Sequence, residues 1–100
     1  MPEKIATTSD IDEGEVQSFE LGDDMIAIAN VEGTYYAFTD VCTHAQCSLS
    51  GGELEGARIE CPCHGSVFDV TDGSVKNPPA TEPLQIYEVI VEGNDILIEI

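Results

Sequence analysis

The C-terminal stretch LQIYEVIVEGNDILIEI, residues 84–100, restricts the fold more than any other segment. Apolar and polar side chains alternate over Ile86–Glu92 and again over Ile96–Ile100, with Gly93, Asn94 and Asp95 between them. A period of two sends successive side chains to opposite faces of a strand, and a Gly-Asn-Asp break supplies a turn, so the stretch predicts a β-hairpin. The same pattern recurs in MIAIANVEGTYYAF, with strands expected at Met25–Val31 and Thr34–Phe38 and a turn at Glu32 and Gly33. Shorter strands are expected at Lys4–Thr7, Glu15–Leu21, Ala57–Glu60, Val67–Val70 and Ser74–Lys76, the last two joined by the turn residues Thr71 to Gly73. No window of a dozen residues combines helical periodicity with good helix formers. The fold class expected is therefore all-β, an antiparallel β-sandwich or small barrel.

A chain of 100 residues has room for one domain with a single core. Twenty Asp and Glu stand against Lys4, Arg58 and Lys76, a formal net charge of -17. Such a chain is repelled by nucleic acid and by anionic membrane surfaces. The alternating apolar residues assign this charge to a folded surface rather than to a disordered tail. Two accounts of it remain open, steering toward basic protein partners and adaptation to a salty cytoplasm. No apolar run approaches the roughly 18–20 residues of a membrane span. The start MPEKIATTSDIDEGE has no secretory or twin-arginine pattern, so a cytoplasmic location is expected.

Between Asp40 and Pro83 the alternation gives way to loops rich in Cys, His, Gly, Ser and Pro. This half reads as an insertion carried on the strand frame, the usual place for function. The run NPPATEP makes a third loop, because proline lacks the amide donor that a central strand needs. Residues 41–52, 61–68 and 77–81 contain no charged side chain, and Glu53, Glu55, Glu60, Asp69, Asp72 and Glu82 flank them. An easily dehydrated tip with a charged rim suits a weak, fast encounter with another macromolecule.

The uncharged loops hold every cysteine and histidine of the chain. The pattern is Cys42-x-His44, a gap of sixteen residues, then Cys61-x-x-His64, with Cys47 and Cys63 left over. Structural zinc sites usually pair cysteine with cysteine and histidine with histidine at short spacing, and neither loop does so. One thiolate and one imidazole per loop also suit an iron-sulfur centre in which two cysteines hold one iron and two histidines the other.

On these residues the chain resembles the Rieske family, whose signature is C-x-H, a gap of about fifteen to seventeen residues, and C-x-x-H. The resemblance runs from about Asp40 to Leu84. It implies one [2Fe-2S] cluster held by Cys42, His44, Cys61 and His64, in a cluster-binding subdomain of about residues 40–83 inserted into a basal β domain of residues 1–39 and 84–100. CTHAQC and CPCHGS resemble the branch in which the two remaining cysteines, here Cys47 and Cys63, form a disulfide between the loops; two buried thiols are the alternative. The resemblance also gives Ser66 a hydroxyl bonded to a bridging sulfide and sets Pro78 and Pro79 beside the cluster. High-potential members carry tyrosine where this chain has Phe68. An intermediate value is thus expected within the roughly -150 to +300 mV of such centres, lowered by Ser66→Ala and falling at alkaline pH as His44 and His64 lose ring protons.

The function implied is that of a soluble one-electron carrier, similar to the ferredoxin component of bacterial aromatic-ring-hydroxylating dioxygenases. Its partners would be a flavin-containing reductase and a terminal oxygenase, and a monomer is expected in solution. The sequence has no nucleophile-base pair, phosphate loop or paired acids in a pocket-like context, so it is not expected to be an enzyme by itself. Two other readings are a small Rieske-like subunit of an assimilatory nitrite reductase and a structural zinc-binding interaction module.

Overall fold

The computed structural model describes residues 2–41, 47–63, 65–77 and 82–99. Its strands are β1 (Pro2–Thr7), β2 (Val16–Leu21), β3 (Asp24–Val31), β4 (Thr34–Thr39), β5 (Glu53–Glu55), β6 (Arg58–Glu60), β7 (Val67–Asp69), β8 (Val75–Asn77), β9 (Ile86–Glu92) and β10 (Asp95–Glu99). They form a six-stranded sheet in the order β1-β10-β9-β4-β3-β2 and a four-stranded sheet in the order β5-β6-β7-β8. Every strand pairing is antiparallel, so the all-β expectation holds.

The β3–β4 hairpin turns on Glu32 and Gly33, both at positive φ (52° and 88°), the conformation of a two-residue turn that follows the natural strand twist. Buried Asn30 secures it: the Asn30 side chain accepts the Gly33 amide at 2.9 Å and donates to the Ile11 carbonyl at 3.0 Å. In the C-terminal hairpin Asp95 pairs with Glu92, so the turn is Gly93-Asn94 alone and β10 begins one residue earlier than the alternation indicated. Lys4 reaches Asp95 at 3.2 Å, a contact that favours the extended placement of this aspartate.

Strand β3 is buried on both faces, which its sequence IAIA allows. Ile26 and Ile28 join Ala6, Ile11, Ala37, Ile96 and Ile98 on one side. Ala27 and Ala29 join Phe38, Leu49, Ile59, Phe68, Val70 and Leu84 on the other. β1 and β2 are opposite edges of the six-stranded sheet, yet Ala6 of β1 and Phe19 and Leu21 of β2 pack in the same cluster. The sheet therefore curls around that cluster. The four-stranded sheet covers its outer side, where Phe38 and Phe68 fill the room left by the two alanines. Each such fully buried large side chain contributes about 1.5–3 kcal/mol relative to exposure.

Several strand readings need correction: β1 starts at Pro2 rather than Lys4, β2 at Val16 rather than Glu15, and β7 ends at Asp69 rather than Val70. β5 was not expected; Glu53, Leu54 and Glu55 pair with Glu60, Ile59 and Arg58, a strand without the β-branched or aromatic residue that marks its neighbours. β6 starts at Arg58 rather than Ala57. β8 starts at Val75 because Ser74 belongs to the preceding turn: its amide donates to the Asp72 carboxylate at 2.9 Å and its carbonyl accepts the Asp69 amide at 2.8 Å.

The pairing of β4 with β9, Ala37 with Tyr87 and Phe38 with Ile86, positions the site. The Thr39 amide donates to the Gln85 carbonyl at 3.0 Å. The chain thus leaves the six-stranded sheet at Asp40 and returns beside its point of departure, and the described strands between, β5 to β8, form the second sheet.

Candidate metal centre

The first loop begins at Asp40, whose amide is tied to the sheet through the Met25 carbonyl at 3.0 Å. The residue is 3% exposed. The carboxylate accepts the Ser50 amide at 2.7 Å, the Ser48 hydroxyl at 2.6 Å and the Ser50 hydroxyl at 3.1 Å. The Asp40 carbonyl accepts the Leu49 amide at 2.7 Å, and Val41 pairs with Ser48 in an isolated bridge. Asp40 and Val41 therefore meet Ser48 to Ser50 across a closed neck. A single 3-10 turn, Leu49–Gly51, carries the chain from the neck to Gly52 and β5.

The second loop leaves β6 at Cys61. The Cys61 amide donates to the Ser66 carbonyl at 2.7 Å and the Gly65 amide to the Cys61 carbonyl at 3.1 Å. The turn needs Gly65 at φ 77°, where a β-carbon is disfavoured. Two links join the loops. One is the disulfide between Cys47 and Cys63, with α-carbons 6.4 Å apart. The other is Gly52, which lies so close to β6 that a β-carbon there would overlap the Glu60 carbonyl oxygen and come within 3.2 Å of Pro62 Cδ. A third approach occurs at Gly73, whose carbonyl accepts the Leu84 amide at 2.8 Å and where a β-carbon would meet the Leu84 carbonyl oxygen at 2.5 Å.

Among the sequence-derived candidates, Cys42, His44, His64, Pro78 and Pro79 lie outside the described residues. Cys61 is 1% exposed, packs in the apolar cluster with Leu49 and Phe68, and keeps its thiol outside the disulfide. A buried thiol next to an apolar wall is a donor that fits the thiolate end of an iron-sulfur cluster. Ser66 is fully buried in the same turn. Cys47 is half-buried and Cys63 exposed, and the structure joins them by a disulfide.

Sequence reasoning missed Asp40 and Gly52. Asp40 read only as a boundary, although an aspartate just before C-x-H with S-x-S eight residues on does contain a carboxylate and its donors. Gly52 carried no signal, since its closeness to Glu60 arises from pairing of β5 with β6.

Outside the loops, the outer face of the four-stranded sheet bears a cavity of about 240 Å³ lined by Glu53, Glu55, Arg58, Glu60, Val67, Lys76 and Asn77. Two of the three cations of the chain thus share a surface with the carboxylates flanking the first loop. The Ser74 amide bonded to Asp72 holds its carboxyl below the usual range, with smaller contributions from the nearby Ser74 hydroxyl and from Lys76. Burial pushes the Tyr87 phenol above its ordinary value, and the negative charge of Asp24 adds to the rise.

Comparison with known proteins supplies the context for these loops. Residues 2–88 match the Rieske [2Fe-2S] domain. The chain is 39% identical over 97 residues to the biphenyl dioxygenase ferredoxin subunit of Pseudomonas sp. strain KKS102, covering 96% of this chain and 89% of that protein. It is 42% identical over 93 residues to the 3-phenylpropionate/cinnamic acid dioxygenase ferredoxin subunit of Escherichia coli K12, covering 92% and 87%. Among solved structures, a chain from the complex of reduced oxygenase and oxidised ferredoxin in carbazole 1,9a-dioxygenase superposes with a TM-score of 0.91 at 36% identity, covering 97% of this chain and 91% of that one.

Proposed function

Because this chain belongs to the Rieske [2Fe-2S] domain family, we propose that Cys42 and Cys61 bind one iron of its cluster and His44 and His64 the other. The protein is an electron carrier that serves a terminal oxygenase and does no catalysis alone, as in the ferredoxin components it resembles. The observation that carries the ligand reading is the pair of loops tied to each other at Cys47–Cys63 and at Gly52, with Cys61 buried and left as a thiol between them.

The cluster supplies one reversible electron at a potential set by its mixed cysteine and histidine ligands. The chain supplies the rest. Cys61 sits on a rigid turn closed by the Ser66 carbonyl, so its sulfur has little freedom. Ser66, buried in the same turn, would supply a hydroxyl donor to the cluster and so raise its potential, because donors aimed at sulfur favour the added negative charge. Pro78 and Pro79 would flank the cluster, as the family resemblance implies. Residues 40–83 form the cluster-binding subdomain, on a base made of residues 1–39 and 84–100; the β4–β9 pairing, which brings the ends of the excursion together, supports this division.

The reductase is flavin-containing, the carrier is monomeric and the cytoplasm is its compartment. A net charge of -17 opposes self-association, and among the described residues no helix is long and apolar enough to cross a membrane. Electron transfer to an oxygenase component tests the reading: the reduced, coloured protein is mixed with a ring-hydroxylating oxygenase and its reoxidation followed by visible absorption. Rapid single-electron reoxidation is expected. A colourless preparation containing zinc instead of iron would refute the assignment.

A further inference from the structure

A carboxylate is an expensive group to bury, and it persists in an interior only where donors satisfy it. Asp40 meets this condition with three donors from two serines, all from the far side of the first loop. Its own amide is bonded to Met25 of β3. One residue thus fastens both ends of the loop to the six-stranded sheet, whereas the disulfide fastens the loop to its neighbour. The two devices hold the loop in different directions. Cys42 and His44 follow Asp40 two and four residues later in the chain.

We propose that Asp40 is the positioning residue of the first loop, gathering Ser48 and Ser50 onto one buried carboxylate and so fixing where Cys42 and His44 are presented; this rests on the ligand assignment given above. The bonding scheme predicts which substitutions matter. One oxygen of Asp40 accepts the Ser50 amide, which can only donate, and the other accepts two hydroxyls, which can also accept. In Asp40→Asn the amide oxygen keeps the Ser50 amide and the NH₂ group donates to the hydroxyls, so the neck stays closed. Asp40→Ala removes every one of these contacts.

The test compares wild type, Asp40→Asn and Asp40→Ala by amide hydrogen exchange and by electron paramagnetic resonance of the dithionite-reduced protein. In Asp40→Ala the Ser50 amide is expected to exchange about 10- to 100-fold faster, in line with the loss of a bond to a charged acceptor. Amides of β9 and β10 keep wild-type protection, and the g-values shift or broaden as the ligand pair moves. Asp40→Asn stays close to wild type in both. Should Asp40→Ala not fold, the double variant Ser48→Ala/Ser50→Ala takes its place and must show the same broadening. A wild-type line shape in whichever variant folds overturns the proposal, as does equal perturbation by Asn and Ala. Absence of any paramagnetic signal from the wild type overturns the ligand assignment and the proposal with it, whereas a normal wild-type signal with unaltered variants overturns the role of Asp40 alone.

Discussion

Gly52→Ala is a one-carbon change with a large expected effect. Gly52 has φ -90° and ψ -165°, an extended conformation open to alanine, so backbone strain does not enter. The added carbon overlaps the Glu60 carbonyl oxygen, lies 3.0 Å from its carbon and 3.2 Å from Pro62 Cδ. Backbone cannot swing aside as a flexible side chain does, so β6 must retreat from the first loop. Overpacking of this kind destabilises by about 1–3 kcal/mol. At about 2 kcal/mol, a domain of this size loses on the order of 10 °C in Tm. Residues on either side of Cys61 move with it, so iron incorporation falls too. Gly51 is the control, with nothing within 4 Å of an added carbon, and Gly51→Ala should stay within about 0.5 kcal/mol of wild type. Thermal unfolding of the apoproteins by circular dichroism, with iron per chain in the reconstituted forms, gives the answer. Equal Tm values for the two variants would refute the reasoning.

Three further outcomes are expected. Replacing Cys47 and Cys63 together by serine opens a loop with a sequence separation of 16, and urea unfolding should show a loss of about 3 kcal/mol; an unchanged midpoint would mean that the neck and Gly52 suffice. The folded state favours neutral Tyr87, because its phenol titrates above the ordinary value. Its contribution is complete below the unfolded pKa of about 10 and is lost as pH rises through the folded value; Tyr87→Phe should remove this alkaline component from the pH dependence of the urea midpoint. Finally, Glu88 faces Glu99, Glu92 faces Asp95 and Glu53 faces Glu60 across strand pairs, and like charges directly opposed destabilise a sheet. Added salt should therefore raise Tm, and Glu88→Lys should stabilise by about 0.2–1 kcal/mol at low ionic strength and by less as screening grows; a Tm indifferent to both would contradict this view of the acidic surface.

What could be read from the chain follows the range of the interactions involved. The β3–β4 and β9–β10 hairpins are visible because alternation and turn residues are local, and only boundaries differ: β3 starts at Asp24, β4 runs to Thr39, and β10 starts at Asp95, which pairs with Glu92. β5 escapes because Glu-Leu-Glu lacks the β-branched or aromatic residue that β6, β7 and β8 each carry. The β4–β9 pairing that closes the excursion joins residues about fifty apart, and nothing local encodes it. At the site, Cys61 is legible from its place in C-x-x-H, while the Cys47–Cys63 bond came only from family likeness, since the residues alone left thiols open. Asp40 and Gly52 were hidden for opposite reasons. A buried charge contradicts the rule that charges lie outside, and the place of Gly52 depends on a neighbour across a sheet.

The central claim is that two histidines and two cysteines hold the cluster, and the chain contains only two histidines, so labelling them is unambiguous. Nitrogen hyperfine coupling, measured by electron-nuclear double resonance on reduced protein with ¹⁵N-histidine, tests it most directly. The account predicts an anisotropic cluster signal coupled to one nitrogen from each of two imidazoles. A signal without histidine coupling, or no signal from iron-loaded protein, would contradict it.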